Sequence, residues 1–174
     1  QRMATARGAV ITLENQTHRL ATLGVWGPKA RETLSQLMTS PDALSPQNFH
    51  FATAQTFEIA GITVWAFRIS YVGEQGFELY FDFDSGLPLW DQLFALGVVP
   101  IGVETYANSR RLEKSLRLQN ADLETDFNLY EAGLARSVVK KAAFHGKPAY
   151  LAQREIDQQD SYLCTLVMLA NEDA

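Results

Sequence analysis

The chain has 174 residues, of which 47% are hydrophobic and 20% charged, and carries a net charge of −5. That size and balance fit one ordinary core and argue against disorder, while the acidic surplus excludes the basic stripe of a nucleic-acid binder. The single Cys164 rules out a cysteine metal cluster or a disulfide framework, and no apolar run approaches the roughly 18 residues of a membrane span. The expected setting is therefore aqueous: the cytoplasm, or the mitochondrial matrix in a eukaryote, with neither membrane nor nucleic acid as partner.

Residues 9–13 and 20–26 are strand-like. Gly27 and Pro28 then open an amphipathic helix expected over 27–38, in which Ala30, Thr33, Leu34 and Leu37 recur at helical spacing. A polar, proline-containing link follows over 40–48. Segments 52–59 and 62–69 read as strands that meet at Ala60 and Gly61 in a hairpin. Phe77, Leu79 and Phe81 alternate with Glu78, Tyr80 and Asp82, which predicts a strand over 77–83 with a carboxylate on its polar face. A second helix is expected over 87–96, stopped by Gly97, and a third over 103–116. Residues 119–128 read as loop, 148–154 as a short helix after Gly146, and the apolar run 162–169 as a strand that buries the Cys164 thiol. Helices laid on a largely antiparallel sheet make the fold class α+β.

Three words stand out for chemistry. SYVGEQGFELY at 70–80 joins a glycine-bounded turn, Gly73 to Gly76, to the strand; RLEK at 111–114 and YEAGL at 130–134 follow. With LGVWGPKA at 23–30, TYA at 105–107 and FHGK at 144–147, they resemble the folate-binding family of the glycine cleavage T-protein, and most closely the branch fused to sarcosine and dimethylglycine dehydrogenases. Order and spacing carry the likeness, not any single word. The resemblance implies tetrahydrofolate as the bound small molecule and transfer to it of an N-methyl or aminomethyl group as methylene. FAD would belong only to an upstream domain, because the chain has no G-x-G-x-x-G word. The same resemblance implies that residues 1–160 are a partial folate-binding domain, the middle portion of a longer unit, and that 161–174 begin a C-terminal barrel.

An ionised carboxylate only accepts hydrogen bonds, so it can take the adjacent N–H donors of a pterin's aminopyrimidinone edge in parallel. Glu78 matches the family's pterin-gripping glutamate. Tyr71 matches the tyrosine near the ring and would offer it a stacking face. Read without the family, Glu78 is equally a solvated strand residue and Tyr71 a core aromatic. Arg111 matches the arginine of the family's RLE word, which implies a hydrogen bond to the folate or its acidic tail. Its other reading is a surface salt bridge to a glutamate one helical turn away, and Arg110 competes for the role. Glu131 reads as a brace for its turn.

The chain departs from the dehydrogenase-like pattern at Gln119, Asn120 and Leu129. His18, His50 and His145 accompany no nucleophile and lack metal-ligand spacing. In the family an aspartate from an earlier half of the domain assists the transfer. These residues alone are therefore expected to bind folate without catalysing one-carbon transfer, and to self-associate through uncovered apolar surface. Two further functions fit the same scaffold: a non-catalytic folate-binding module of the iron–sulfur maintenance type, and a folate-dependent O- or S-demethylase. A structural or interaction domain without a small-molecule site is the remaining alternative.

Overall fold

The structure, a computed structural model, describes residues 8, 10–136, 138–156 and 161–167. They belong to two compact units, Gln1–Ile101 and Gly102–Ala174.

In the first unit four strands form one antiparallel sheet: β1 (Leu20–Trp26), β2 (Ala54–Ile59), β3 (Ile62–Phe67) and β4 (Gly76–Asp82), in the order β1-β4-β3-β2. β2 and β3 are a hairpin whose turn residues, Ala60 and Gly61, both take positive φ, +52° and +75°. Two such residues match the twist of the flanking strands. β4 occupies the middle of the sheet because its alternation gives it two usable faces. Phe77, Leu79 and Phe81 are buried with Val25, Val64, Ala66 and Ile59 on one side, and Glu78, Tyr80 and Asp82 point to the other.

The buried face is closed by two helices, α1 (Ala30–Ser35) and α2 (Gly86–Ala95), which contribute Leu34, Leu89 and Leu93, and by the loop carrying Leu44 and Phe49. Phe49 is fully buried, packing its ring edge-on against Phe57 at 5.1 Å and stacked with Phe77 at 6.0 Å. The fold class is α+β, as expected. On α2 a second stripe, Leu87, Trp90 and Phe94, stays exposed beside the buried one.

Several expected elements come out differently. Residues 10–13 form no strand and Val10 and Leu13 are exposed, because no described residue pairs with them; Ala9 lies outside the described residues. The first helix starts later than 27, since Gly27 takes φ +128°, a conformation no helix uses, and after Ser35 it tightens into a turn.

In the second unit the helix expected over 103–116 winds as a π-helix over Thr105–Arg110 before a short α-helical segment, α3 (Arg111–Glu113). It ends there because Ser115 turns to φ +55° and the Leu116 amide returns to the Arg111 carbonyl at 2.9 Å. α4 (Lys147–Arg154) follows Gly146, at φ +83°, as its spacing predicts. Residues 161–167 form no strand and Cys164 is exposed, which corrects the reading of a buried thiol; Met168 and Leu169 lie outside the described residues. An apolar run becomes a strand only where a neighbour supplies a ladder of hydrogen bonds. Here one backbone bond, Leu163 N–H to the Glu131 carbonyl at 2.8 Å, is recorded for it.

Phe49 joins loop, hairpin and central strand, so Phe49→Ala should lower the stability of the first unit by about 3–5 kcal/mol. Urea unfolding followed by the fluorescence of Trp26, Trp65 and Trp90, all in that unit, measures the loss.

Candidate functional site

Glu78 stands on the sheet face opposite the core, and the register determines its neighbours. Directly across β4 it faces Gly24 of β1 on one side and Phe67 of β3 on the other, while Tyr80, two residues on, faces Thr22 and Trp65. The Trp26 indole folds back along β1 onto Gly24, where a Cβ would lie 2.4 Å from its Cζ2 atom. Glycine at 24 is thus required by the ring above it. Gly76 is required for the same reason, since a Cβ there would meet Trp26 Cδ1 and Ser70 Cβ, both at 2.5 Å.

On the other side of Glu78 lies an aromatic cluster. Phe67 meets Tyr80 edge-on at 5.1 Å, and Trp65 packs on Phe67 at 4.4 Å and on Tyr80 at 6.1 Å. Trp65 keeps 49% of its surface exposed. Glu78 is half-buried between these aromatic walls, and one of its oxygens, Oε2, accepts a hydrogen bond from the Tyr80 hydroxyl at 3.1 Å. Burial first, and then this bond, push the Tyr80 phenol above its ordinary pKa, so it stays a neutral donor across the physiological range.

Tyr71 sits, half-buried, in the bend that leads into the glycine turn. That turn is anchored at both ends. Gly73 takes φ +72°, and the Gly27 amide donates to the Gln75 carbonyl at 2.8 Å. Buried at the base of the turn, Ser70 Oγ has no hydrogen-bond partner among the described residues.

Arg111 belongs to the second unit. It is 6% exposed, and its Nε donates to the Ala107 carbonyl at 2.7 Å, its Nη1 to the Leu116 carbonyl at 3.1 Å and to the Asp122 carboxylate. The Asp122 carboxyl also accepts the Leu118 amide at 2.9 Å; this bond, followed by the Arg111 charge, holds it below its usual range against the opposing cost of burial. The surface salt bridge at this place in the sequence is made by Arg110 instead, to Glu113 at 3.0 Å. Glu131 does brace its turn, accepting the Asn128 amide at 2.8 Å. Arg117, which the motif reading passed over, donates to the Ala132 carbonyl at 3.1 Å and the Leu163 carbonyl at 2.7 Å.

Among the described residues no group of three or more His, Cys, Asp or Glu side chains could hold a metal ion, and no helix is long and apolar enough to cross a membrane.

A family model described as the GCVT N-terminal domain matches residues 1–142. The chain belongs to this family. Mitochondrial dimethylglycine dehydrogenase of Homo sapiens is 40% identical over 152 residues, covering 84% of this chain and 17% of that protein. Aminomethyltransferases of Listeria innocua and Moorella thermoacetica are each 34% identical, over 147 and 155 residues, covering 83% and 86% of this chain. The chain spans only about 40% of the length of those two enzymes.

Within this GCVT domain, Trp65, Phe67 and Tyr80 are neighbours of Glu78 that the motif reading did not single out. The signal was present in part: Trp65 and Phe67 share a parity on β3, and Tyr80 shares one with Glu78. Bringing the two pairs side by side needs the strand register, which no local pattern contains.

The buried Arg111–Asp122 pair yields a prediction. Asp122→Asn leaves the Arg111 charge uncompensated and should cost the second unit about 3 kcal/mol at neutral pH, the low end for a broken buried pair because the Asp122 side chain keeps 22% exposure. Because folding lowers the Asp122 pKa, the pair stabilises fully above the unfolded carboxylate value of about 4 and loses this contribution as pH falls through the lower folded value. Amide hydrogen exchange in residues 105–122 should therefore differ strongly between the two proteins at pH 7 and converge in acid.

Proposed function

We propose that this chain is the folate-binding part of a one-carbon transferase, of the aminomethyltransferase or dimethylglycine and sarcosine dehydrogenase type, and that Glu78 grips the pterin ring. Membership of the GCVT family supports a role in folate-related one-carbon chemistry in general. The observation that carries the finer reading is the placement of Glu78: an acceptor-only, half-buried carboxylate on the outer sheet face, opposite Gly24, on which the Trp26 indole lies, and opposite Phe67, on which Trp65 packs. A flat ring with two adjacent N–H donors fits those residues, since its edge meets the carboxylate and its face meets aromatic surface.

Tetrahydrofolate, once bound, supplies the nitrogens that accept the one-carbon unit. The chain's own part is to bind, orient and shield. Glu78 fixes the ring's rotation through paired hydrogen bonds, which positions the ligand for reaction. The aromatic walls exclude water from those bonds and so strengthen them. Tyr71 adds a further ring at the turn. Arg111, with Nε and Nη1 already committed, serves in this proposal by holding the 116–122 loop in place.

Calorimetric titration of the chain with 5-formyltetrahydrofolate tests the proposal. Glu78→Gln replaces one acceptor by a donor aimed at donors, and should weaken binding by about 1–3 kcal/mol, roughly 5- to 150-fold. Equal affinity in the two proteins would remove Glu78 from the site. The chain alone is expected to leave formation of methylenetetrahydrofolate from tetrahydrofolate and a methylene donor at its spontaneous rate. Turnover abolished by a substitution within these residues would overturn that expectation.

A further inference from the structure

We infer that Tyr80 is a positioning residue for ligand recognition: through its hydroxyl it holds the Glu78 carboxylate in the one orientation that matches a ring edge carrying an amino group beside a ring N–H. This inference rests on the proposed role of Glu78 and goes beyond it.

A glutamate side chain on an open strand face has three rotatable bonds, and locking them on binding costs conformational entropy. Here the lock exists before any ligand arrives. Glu78 and Tyr80 are two residues apart on one face of β4, and the Tyr80 hydroxyl donates to Oε2 at 3.1 Å. That bond uses one lone pair of Oε2 and limits the rotation of the carboxylate. Oε1 and the second lone pair of Oε2 are left for a ligand.

The phenol is itself held. Phe67 stands opposite Glu78 and Trp65 opposite Tyr80, so the four side chains form two cross-strand pairs. The diagonal contact of Phe67 with Tyr80, edge-on at 5.1 Å, and the direct cross-strand contact of Trp65, at 6.1 Å, confine the tyrosine ring from the β3 side. Tyr80 therefore orients the carboxylate without itself being needed against the ligand's reacting atoms, and its contribution is pre-organisation.

The discriminating experiment pairs a protein change with a ligand change. Wild-type chain, Tyr80→Phe and Glu78→Gln are each titrated with 5-formyltetrahydrofolate and with its 2-desamino analogue, which lacks one of the two donors. Tyr80→Phe keeps the ring and its aromatic contacts and removes only the hydroxyl. It should weaken binding of the parent ligand about 3- to 10-fold and change that of the desamino analogue less than about 2-fold, because only the paired-donor edge exploits the fixed carboxylate plane. A purely structural role would weaken both ligands alike. If Tyr80→Phe weakens both equally or neither, while Glu78→Gln still weakens the parent, the positioning role is overturned and the Glu78 reading stands. If the wild type does not bind, or Glu78→Gln binds the parent as well as the wild type does, both readings fall.

Discussion

The two-residue period of β4 is the constraint on which the first unit depends. Phe77, Leu79 and Phe81 must enter the core, and once they do, Glu78 and Tyr80 must emerge on the opposite face. A slip of one residue against β1 or β3 would bury the carboxylate and expose three large apolar side chains. At about 1.5–3 kcal/mol for each such side chain, the core alone pins the register. The position of Glu78 therefore needs no stabilising interaction of its own. It is held by its neighbours in the chain.

With the register settled, composition on the flanking strands shapes the surface around Glu78. Gly24 and Gly76 give the Trp26 indole room to lie on the sheet, and the Phe67 and Trp65 rings fill the other side. An outer sheet face is normally polar; this one carries four large rings, Trp26, Trp65, Phe67 and Tyr80, and a half-buried carboxylate, with 49% of Trp65 exposed. Such a surface is costly to leave in water, and a flat ligand with polar edges would use both its apolar and its accepting parts.

The second unit is held together differently. Among its described residues, only Ala132 and Arg111 are buried, so an apolar core is not what organises it. Two arginines do that by tying carbonyls and a carboxylate together. Arg111 joins Ala107, Leu116 and Asp122, and Arg117 joins Ala132 and Leu163. The RLEK and YEAGL words therefore mark a hydrogen-bonded scaffold. A guanidinium with five donors in a rigid fork suits that task, and lysine would not replace it.

Local patterns in the sequence were enough for the strands 20–26, 54–59 and 62–67, for the hairpin at Ala60 and Gly61, for the alternation of β4, and for the helices after Ser85 and Gly146. Each depends on side-chain periodicity or on backbone geometry that one or two residues impose. Glu78 was legible as a carboxylate on a polar strand face for the same reason. Tertiary structure decided what depends on partners. Residues 10–13 and 161–167 have strand-like composition but no ladder to join among the described residues, and Cys164 lies exposed. Arg111, rather than Arg110, turns inward because the returning 116–122 loop brings Asp122 to it. Above all, the sequence places Trp65 and Phe67 more than ten residues from Glu78, and only the antiparallel pairing of β3 with β4 puts them beside it. Pairing is a long-range choice, made by the whole buried face at once, and no short stretch of sequence contains it.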